Sequence, residues 1–349
     1  MSKISIIVPV YNAEKFLDKC LSSLVNQTLK DIEIITINDG STDSSLDIME
    51  KFQKSYREQI KIIDGPNGGV GSARNKGIDI ATGEFIKFVD ADDYLKLDIL
   101  DKMYQIAKEY NVSLVRGNYQ TIIGPIKTVD TCSWSGIKQN QVVDVHENKD
   151  YIVTETSGIG NKLISRELLD DLRFPKHTKW EDLAIMPVVV ASSERLFHMD
   201  EPVYNYRINM NTTVKDFIRK IPSILDIIKC LDIIEEHMKN RGLAEEYREQ
   251  IESLYILHTI YRVQNAMTWV NFSKSKKDVV ISSLINILDL KYPNWRNNEL
   301  MEKYKKVNPF FGALMVGMEC FTKGYDKLTD IDQIKSNIQY VFKKENIKK

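Results

Sequence analysis

The chain is poor in the features that announce several large classes of protein. Only four cysteines occur among 349 residues, at Cys20, Cys132, Cys230 and Cys320. No two form a Cys-x-x-Cys pair, so neither a disulfide scaffold nor a paired-thiol metal site is indicated, and free thiols fit a reducing cytoplasm. No apolar run reaches the roughly 20 residues that a membrane-crossing helix needs. The nearest, Phe310 to Phe321, is interrupted by Gly312, Gly317 and Glu319. The opening residues, Met1 to Pro9, read as a strand and not as a secretory leader. Net charge is −1, which removes the global positive field that recruits nucleic acid. Neither Gly-Lys-Ser nor Gly-Lys-Thr occurs, so the phosphate-gripping P-loop is absent.

What is present is an ordinary globular composition, 43% hydrophobic and 28% charged, in a chain long enough for two domains. The first 115 residues alternate strand and helix. Ile4–Val10, Ile32–Ile37, Ile60–Ile63 and Phe85–Val89 are short apolar runs of the buried parallel type, and Val112–Val115 reads as a fifth. Between the first two, Phe16, Leu17, Cys20, Leu21, Leu24 and Val25 mark one helix face. Such alternation predicts an α/β fold with a parallel or mixed sheet and helices on both faces. The alternation fades over 117–150, where Gly117, Gly124, Pro125, Trp134 and Gly136 suggest irregular strands or an insertion. Short helices and strands follow to about residue 210. From Asp216 the periodicity is helical, so 1–215 and 216–349 are expected to form an α/β domain and an α-helical domain.

The chemistry-bearing residues cluster where strands end. Open α/β sheets bind ligands at the carboxyl edge of their strands. Lys87 to Asp93 runs from strand four into three carboxylates, Asp90, Asp92 and Asp93. Two acids at i, i+2 on such a turn suit one hard divalent cation that neutralises a diphosphate. Strand one runs into Pro9-Val10-Tyr11-Asn12, strand two into Asn38 to Asp43, and strand three into the glycine-rich Pro66 to Gly77. Asp39 has the chemistry to accept the N3–H of a uracil. Arg74 and Lys76 bring positive charge toward phosphates. Taken singly, each loop also reads as an ordinary turn. The Gly69-Val70-Gly71 pattern lacks the third glycine of a dinucleotide fingerprint and follows the third strand.

Together these loops resemble the inverting glycosyltransferases of family 2, which have the GT-A fold and include bacterial capsule and cell-wall polysaccharide enzymes. The matching residues are Ile6 to Asn12, the helix through Leu24, Asn26, Gln27 and Thr28, then Ile37 to Asp43, Gly71 to Gly77 and Phe88 to Asp93, in the family's order. The resemblance implies that Pro9, Val10, Tyr11 and Asp39 hold the nucleoside of a donor. It implies that Gly71, Arg74, Asp90, Ala91 and Arg207 complete the donor site, and that Asp92 binds Mn²⁺ or Mg²⁺.

Beyond residue 150, Trp180-Glu181-Asp182-Leu183 resembles the family's Glu-Asp motif, which makes Asp182 the expected catalytic base and Glu181 the alternative. An acid pair capping a helix fits the same residues. Gly160 to Leu163 resembles a segment of capsule-type members, and Tyr204 to Arg207 with Asn211 to Thr213 resembles a loop over the donor. Arg207 then adds a cation, or stacks on Tyr204 or Tyr206. His198 is either a further metal ligand or a structural histidine. The other four histidines share no zinc spacing.

The implied reaction is metal-assisted transfer from a nucleotide-sugar, most simply a UDP-sugar, to a glycan or lipid-linked acceptor hydroxyl. A non-catalytic nucleotide-sugar-binding scaffold is the alternative. A sugar-1-phosphate nucleotidyltransferase is disfavoured, because no glycine-rich, arginine-bearing loop follows strand one. The helical domain is open between a core-forming accessory role, acceptor capture, homodimerisation, and peripheral docking at the inner face of the membrane. The last would use Lys305, Lys306, Phe310, Phe311, Leu314, Met315 and the terminal lysines.

Overall fold

The computed structural model describes residues 2–130, 139–154, 157–208, 223–267, 273–307 and 330. Its contacts divide the chain into two compact units, Met1–Lys215 and Asp216–Lys349.

In the first unit, β1 (Ile4–Val10), β2 (Ile32–Asp39), β3 (Ile60–Gly65) and β4 (Phe85–Phe88) pair in parallel in the order β3-β2-β1-β4. The register sets Val10 beside Asn38 and Asp39 beside Gly65, so the loops that follow leave the sheet at one edge. The intervening helices are α1 (Glu14–Val25), α2 (Ser45–Ser55) and α3 (Val70–Ile80), with α4 (Ile99–Glu109) after β4. One sheet face packs Ile4, Ile6, Val8 and Val10 with Leu17, Leu21 and Leu24 of α1, Met49 of α2 and Met103 of α4. The opposite face receives α3. A Cβ at Gly77 would lie 2.4 Å from the Ile7 side chain, so only glycine lets this helix lie so close to β1.

The fifth strand does not extend the parallel set. β5 (Leu114–Ile123) runs past the expected end at Val115 and forms a hairpin with β6 (Ile126–Asp130). β8 (Lys162–Ser165) is inserted between β4 and β5, antiparallel to both. β9 (Arg195–Arg207) then pairs parallel to β5, and β7 (Gln141–Asp144) closes the described edge antiparallel to β9. The sheet is therefore mixed. Register shifts beside Asn118 bend this pairing, and the far end of β9 returns to the β4 loop through a Tyr94–Asn205 bridge. Two short helices, α5 (Tyr151–Thr154) and α6 (Met186–Ser192), complete this unit.

The second unit contains α7 (Ser223–Asn240), α8 (Arg248–Met267), α9 (Lys274–Lys291) and α10 (Glu299–Val307). Ile228, Leu231 and Ile234 of α7, Ile251, Leu254 and Tyr255 of α8, and Leu284, Ile287 and Leu288 of α9 are buried. Lys291 ties α9 to α7 through Asp232 and Glu235, each at 2.7 Å. No helix among the described residues is long and apolar enough to cross a membrane. Cys132, Trp134, Gly136, Asn211 to Thr213, Phe310 to Phe321 and the terminal lysines lie outside the described residues.

Candidate active site

A cavity of about 640 Å³ opens at the carboxyl edge of β1 to β4. All four strand ends line it: Pro9 to Asn12 at and beyond the end of β1, Asp39 and Asp43 at and beyond the end of β2, Asn67 and Gly69 after β3, and Asp90 to Asp92 after β4. The start of α1 supplies Glu14, Lys15 and Phe16. Tyr11 is 55% exposed, a large ring left uncovered at the mouth.

The loops hold one another by backbone recognition. Asn12, at φ 49°, accepts the Thr42 N–H at 2.8 Å and donates its own N–H to Ser41 Oγ. Asp43 accepts the Glu14 N–H while Glu14 accepts the Ser44 N–H, each at 3.1 Å. Asp39 is 3% exposed, and its two carboxylate oxygens accept the N–H groups of Gly68 and Gly69 at 2.8 and 2.9 Å. It thus pins the glycine loop and keeps only its remaining lone pairs for a ligand.

The β4 loop concentrates negative charge. Burial, reinforced by neighbouring Asp90, raises the Asp92 carboxyl to about 6, against the opposing pull of Arg207. Asp93 is raised to about 8, again by burial first and then by Asp90 and Asp92. Its Oδ1 accepts the Arg207 N–H at 2.7 Å, while Oδ2 is buried without a hydrogen bond. The Asp90 N–H donates to Tyr204 Oη at 2.9 Å, so the end of β9 buttresses the loop. No three His, Cys, Asp or Glu side chains among the described residues form a metal-binding group. One or two carboxylates facing a cavity still fit a hard divalent cation of the Mg²⁺ type, which takes its other ligands from phosphate and water. Asp92, with Asp90 beside it in the cavity lining, could serve as such a donor set.

The remaining predicted residues separate. Arg74 is buried and does not line the cavity. Its guanidinium bonds Asp90 Oδ1 at 2.9 Å and Glu181 Oε1. Burial alone lowers its pKa, but the carboxylates of Asp90, Glu181 and Asp182 outweigh this and raise it. Gly71 faces no ligand space: a Cβ there would stand 2.5 Å from the Pro175 carbonyl oxygen, so this glycine seats the 174–175 segment. Arg207 bonds the carbonyl of Asp92 and lies over the rings of Phe16 and Tyr94 at 5.0 and 5.5 Å, in place of Tyr204 or Tyr206. As a metal ligand His198 is a correction. It is buried in β9, and its two ring nitrogens face Arg116 and Tyr151, because strand pairing sets it opposite Arg116.

Asp182 is half-buried, and its Oδ1 accepts the N–H of Leu183 at 2.8 Å. Its carboxyl is raised to about 7, by burial and then by adjacent Glu181, with Arg74 acting the other way. Just before this pair, Trp180 holds φ 68° and His177 φ 51°. For a ring as large as tryptophan's this conformation costs on the order of 1–3 kcal/mol, as is common near functional sites.

Sequence reasoning passed over Glu14 and Lys15 in the cavity wall, read Phe16 only as part of a helix face, and missed the role of Tyr204 Oη on the β4 loop. The first three wall residues after Ala13 carried one available signal, since they follow directly on the Pro9 to Asn12 turn.

Residues 5–173 match the model of glycosyl transferase family 2. The uncharacterized glycosyltransferase YibD of Escherichia coli is 38% identical over 76% of this chain and 82% of its own length. The poly(ribitol-phosphate) β-glucosyltransferase of Bacillus spizizenii is 40% identical over 51% of the chain and 27% of its own length. The chain likewise spans 32% of glycosyltransferase GlyA of Streptococcus pneumoniae. Crystalline S. aureus TarS 1–349 superposes with TM-score 0.63 at 22% identity, covering 98% of this chain and 92% of that one. The same protein has been crystallised with UDP-GlcNAc, and in that form the TM-score is 0.56.

Proposed function

This chain belongs to glycosyl transferase family 2, and on that footing we propose that it transfers a sugar from a UDP-sugar to a hydroxyl of a glycan or lipid-linked acceptor, with inversion at the anomeric carbon. The observation that carries the reading is the cavity walled by all four strand-end loops, with Asp39, Asp90 and Asp92 in its lining. Support for the donor comes from the TarS fold, which accommodates UDP-GlcNAc. Support for a surface polymer as acceptor comes from the poly(ribitol-phosphate) enzyme among the relatives.

In this reading Pro9, Val10 and Tyr11 cradle the nucleoside against the loop that Asp39 holds in place. Asp92 is the metal-binding carboxylate, with Asp90 and Ala91 shaping the turn. A bound Mn²⁺ or Mg²⁺ supplies Lewis-acid neutralisation of the diphosphate leaving group. Asp182 takes the proton of the acceptor hydroxyl as its oxygen attacks the anomeric carbon from the face opposite the diphosphate. The carbon–oxygen bond to the diphosphate breaks, and its electron pair leaves with that group. A base of pKa about 7 suits this work near neutral pH, because a large fraction is ionised and still basic enough to accept the proton. Residues 1–215 form the catalytic domain, and 216–349 are an accessory domain for acceptor capture, self-association or docking at the inner membrane face.

Calorimetric titration of UDP with and without Mn²⁺, against GDP, CDP and dTDP, tests the reading. Metal-dependent binding of UDP, lost in Asp92→Ala, is the expected result. Preference for another nucleotide replaces the donor. Absence of any nucleotide binding overturns the donor-site reading.

A further inference from the structure

Arg74 is 4% exposed, and both terminal nitrogens of its guanidinium are committed inside the protein. One donates to Asp90 Oδ1 at 2.9 Å and the other to Glu181 Oε1, while Nε has no hydrogen-bond partner. Its Cζ stands 5.6 Å from the Phe174 ring centroid.

The neighbouring residues of α3 grip the same segment. Asn75 donates to the Phe174 carbonyl at 2.9 Å and accepts the Phe174 N–H at 2.8 Å. The tight approach of Gly71 to Pro175 lies one turn earlier. One face of α3 therefore holds the chain that leads into Glu181 and Asp182, and Arg74 is the link from that face to the β4 loop. A guanidinium placed this way is not open to a diphosphate, because turning toward one would leave Glu181 as a buried carboxylate without a counter-ion. The two acids of the pair are thus unequal. Glu181 is tied to Arg74, whereas the only hydrogen bond to the Asp182 carboxylate among the described residues is from Leu183 to Oδ1.

We propose that Arg74 is a positioning residue, which withdraws Glu181 from proton transfer and sets Asp182 in register with the Asp90 side of the cavity. This rests on the reading of Asp182 as base.

The test compares Arg74→Gln, Arg74→Lys, Glu181→Gln and the double variant Arg74→Gln/Glu181→Gln. It measures kcat for UDP-sugar turnover and, separately, the Kd of UDP with Mn²⁺. Mispositioning of a reacting group predicts a loss of about 100-fold in kcat for Arg74→Gln, with the UDP Kd unchanged within about threefold. Residues acting as one unit are non-additive, so the double variant should be no slower than Arg74→Gln. Arg74→Lys should recover about tenfold of the loss, since one charged contact is kept and the bidentate fork is not. A rise of tenfold or more in the Kd of Arg74→Gln with kcat preserved would overturn the proposal in favour of direct donor contact. So would losses that multiply in the double variant. Should Arg74→Gln fail to fold, Arg74→Lys and the charge-balanced double variant carry the same comparison against Glu181→Gln. Wild-type protein that turns over no donor sinks the functional reading and this inference with it, whereas active wild type with multiplying losses sinks the inference alone.

Discussion

The two ends of the parallel sheet treat their carboxylates in opposite ways. At the amino edge, buried Glu33 receives Ser5 Oγ, Lys61 Nζ at 2.7 Å, and both the N–H and the hydroxyl of Thr82 at 2.7 Å. Burial alone would raise its pKa, but these donors outweigh burial and bring it to about 2. At the carboxyl edge, Asp92, Asp93 and Asp182 stand at about 6, 8 and 7, because burial and neighbouring acids outweigh the donors they are given. The carboxyl group of Glu33 is held satisfied at one end, and those of Asp92, Asp93 and Asp182 are short of partners at the other. Perturbed acids gathered at one edge mark the end where a ligand supplies the missing charge or gives up a proton.

Removing the base should give the largest effect at the deprived end. Asp182→Asn is expected to lower transfer by about 1,000-fold while leaving UDP affinity unchanged, in line with the loss of a general base. Equal transfer by variant and wild type would break the contrast. In the wild type, kcat/KM should rise tenfold per pH unit up to about pH 7 and then level, because only the ionised carboxylate accepts a proton. A profile flat from pH 5.5 to 8 would remove Asp182 from the chemistry. Asp92→Ala comes next, with a loss of about 100-fold in turnover if metal neutralisation of the leaving group is worth several kcal/mol. Its UDP binding should become indifferent to Mn²⁺, which calorimetry reads directly.

The satisfied end should answer in stability instead. Glu33→Gln takes the charged acceptor from Ser5, Lys61 and Thr82, at a cost of about 2 kcal/mol by the usual worth of hydrogen bonds to charged groups. The sign follows from the depressed pKa. The carboxylate's contribution is fully present above about pH 4.5 and is lost as pH falls toward about 2. Denaturant unfolding of variant and wild type should therefore differ at pH 7 and converge in acid, with kcat unchanged throughout. A kinetic defect without a stability defect would reverse the roles assigned to the two edges.

Legibility differs between halves of the first unit for a related reason. β1 to β4 and their loops could be read because buried parallel strands are near-continuous apolar runs that end in Asn, Asp, Gly and Ser. All four loops predicted to share an edge do line one cavity. The mixed half is less transparent. β8 is only four residues long and begins with Lys162, which is fully buried and bonds the Gly158 carbonyl. Lys87 in β4 is equally buried, against the Gly160 carbonyl at 2.6 Å. A buried lysine reads in sequence as a solvent-facing one; β4 is legible despite Lys87 because apolar residues surround it, whereas the four-residue β8 is not. Nor could spacing have found the partners of Arg74, which lie 16 and 107 residues away. Sequence left His198 open between two roles because proximity in sequence to the base motif says nothing about which strand face a side chain takes.

The smallest expected effect refines the contrast within the deprived end itself. Asp93 differs from Asp92 in that it does not line the cavity; its Oδ1 serves the Arg207 N–H, and its Oδ2 has no hydrogen bond. An amide can keep the first contact without carrying charge. A carboxyl raised from 3.8 to about 8 stays protonated in the folded protein while the unfolded chain releases its proton, so wild-type stability falls as pH rises across that window. Asp93→Asn has no such proton to lose. With chelator present, its stability relative to wild type should therefore grow as pH rises from 5 to 8. If Asp93→Asn instead falls in parallel with wild type over that range, the strain of the β4 loop resides in Asp90 and Asp92 alone, and Asp93 is a satisfied structural acid like Glu33.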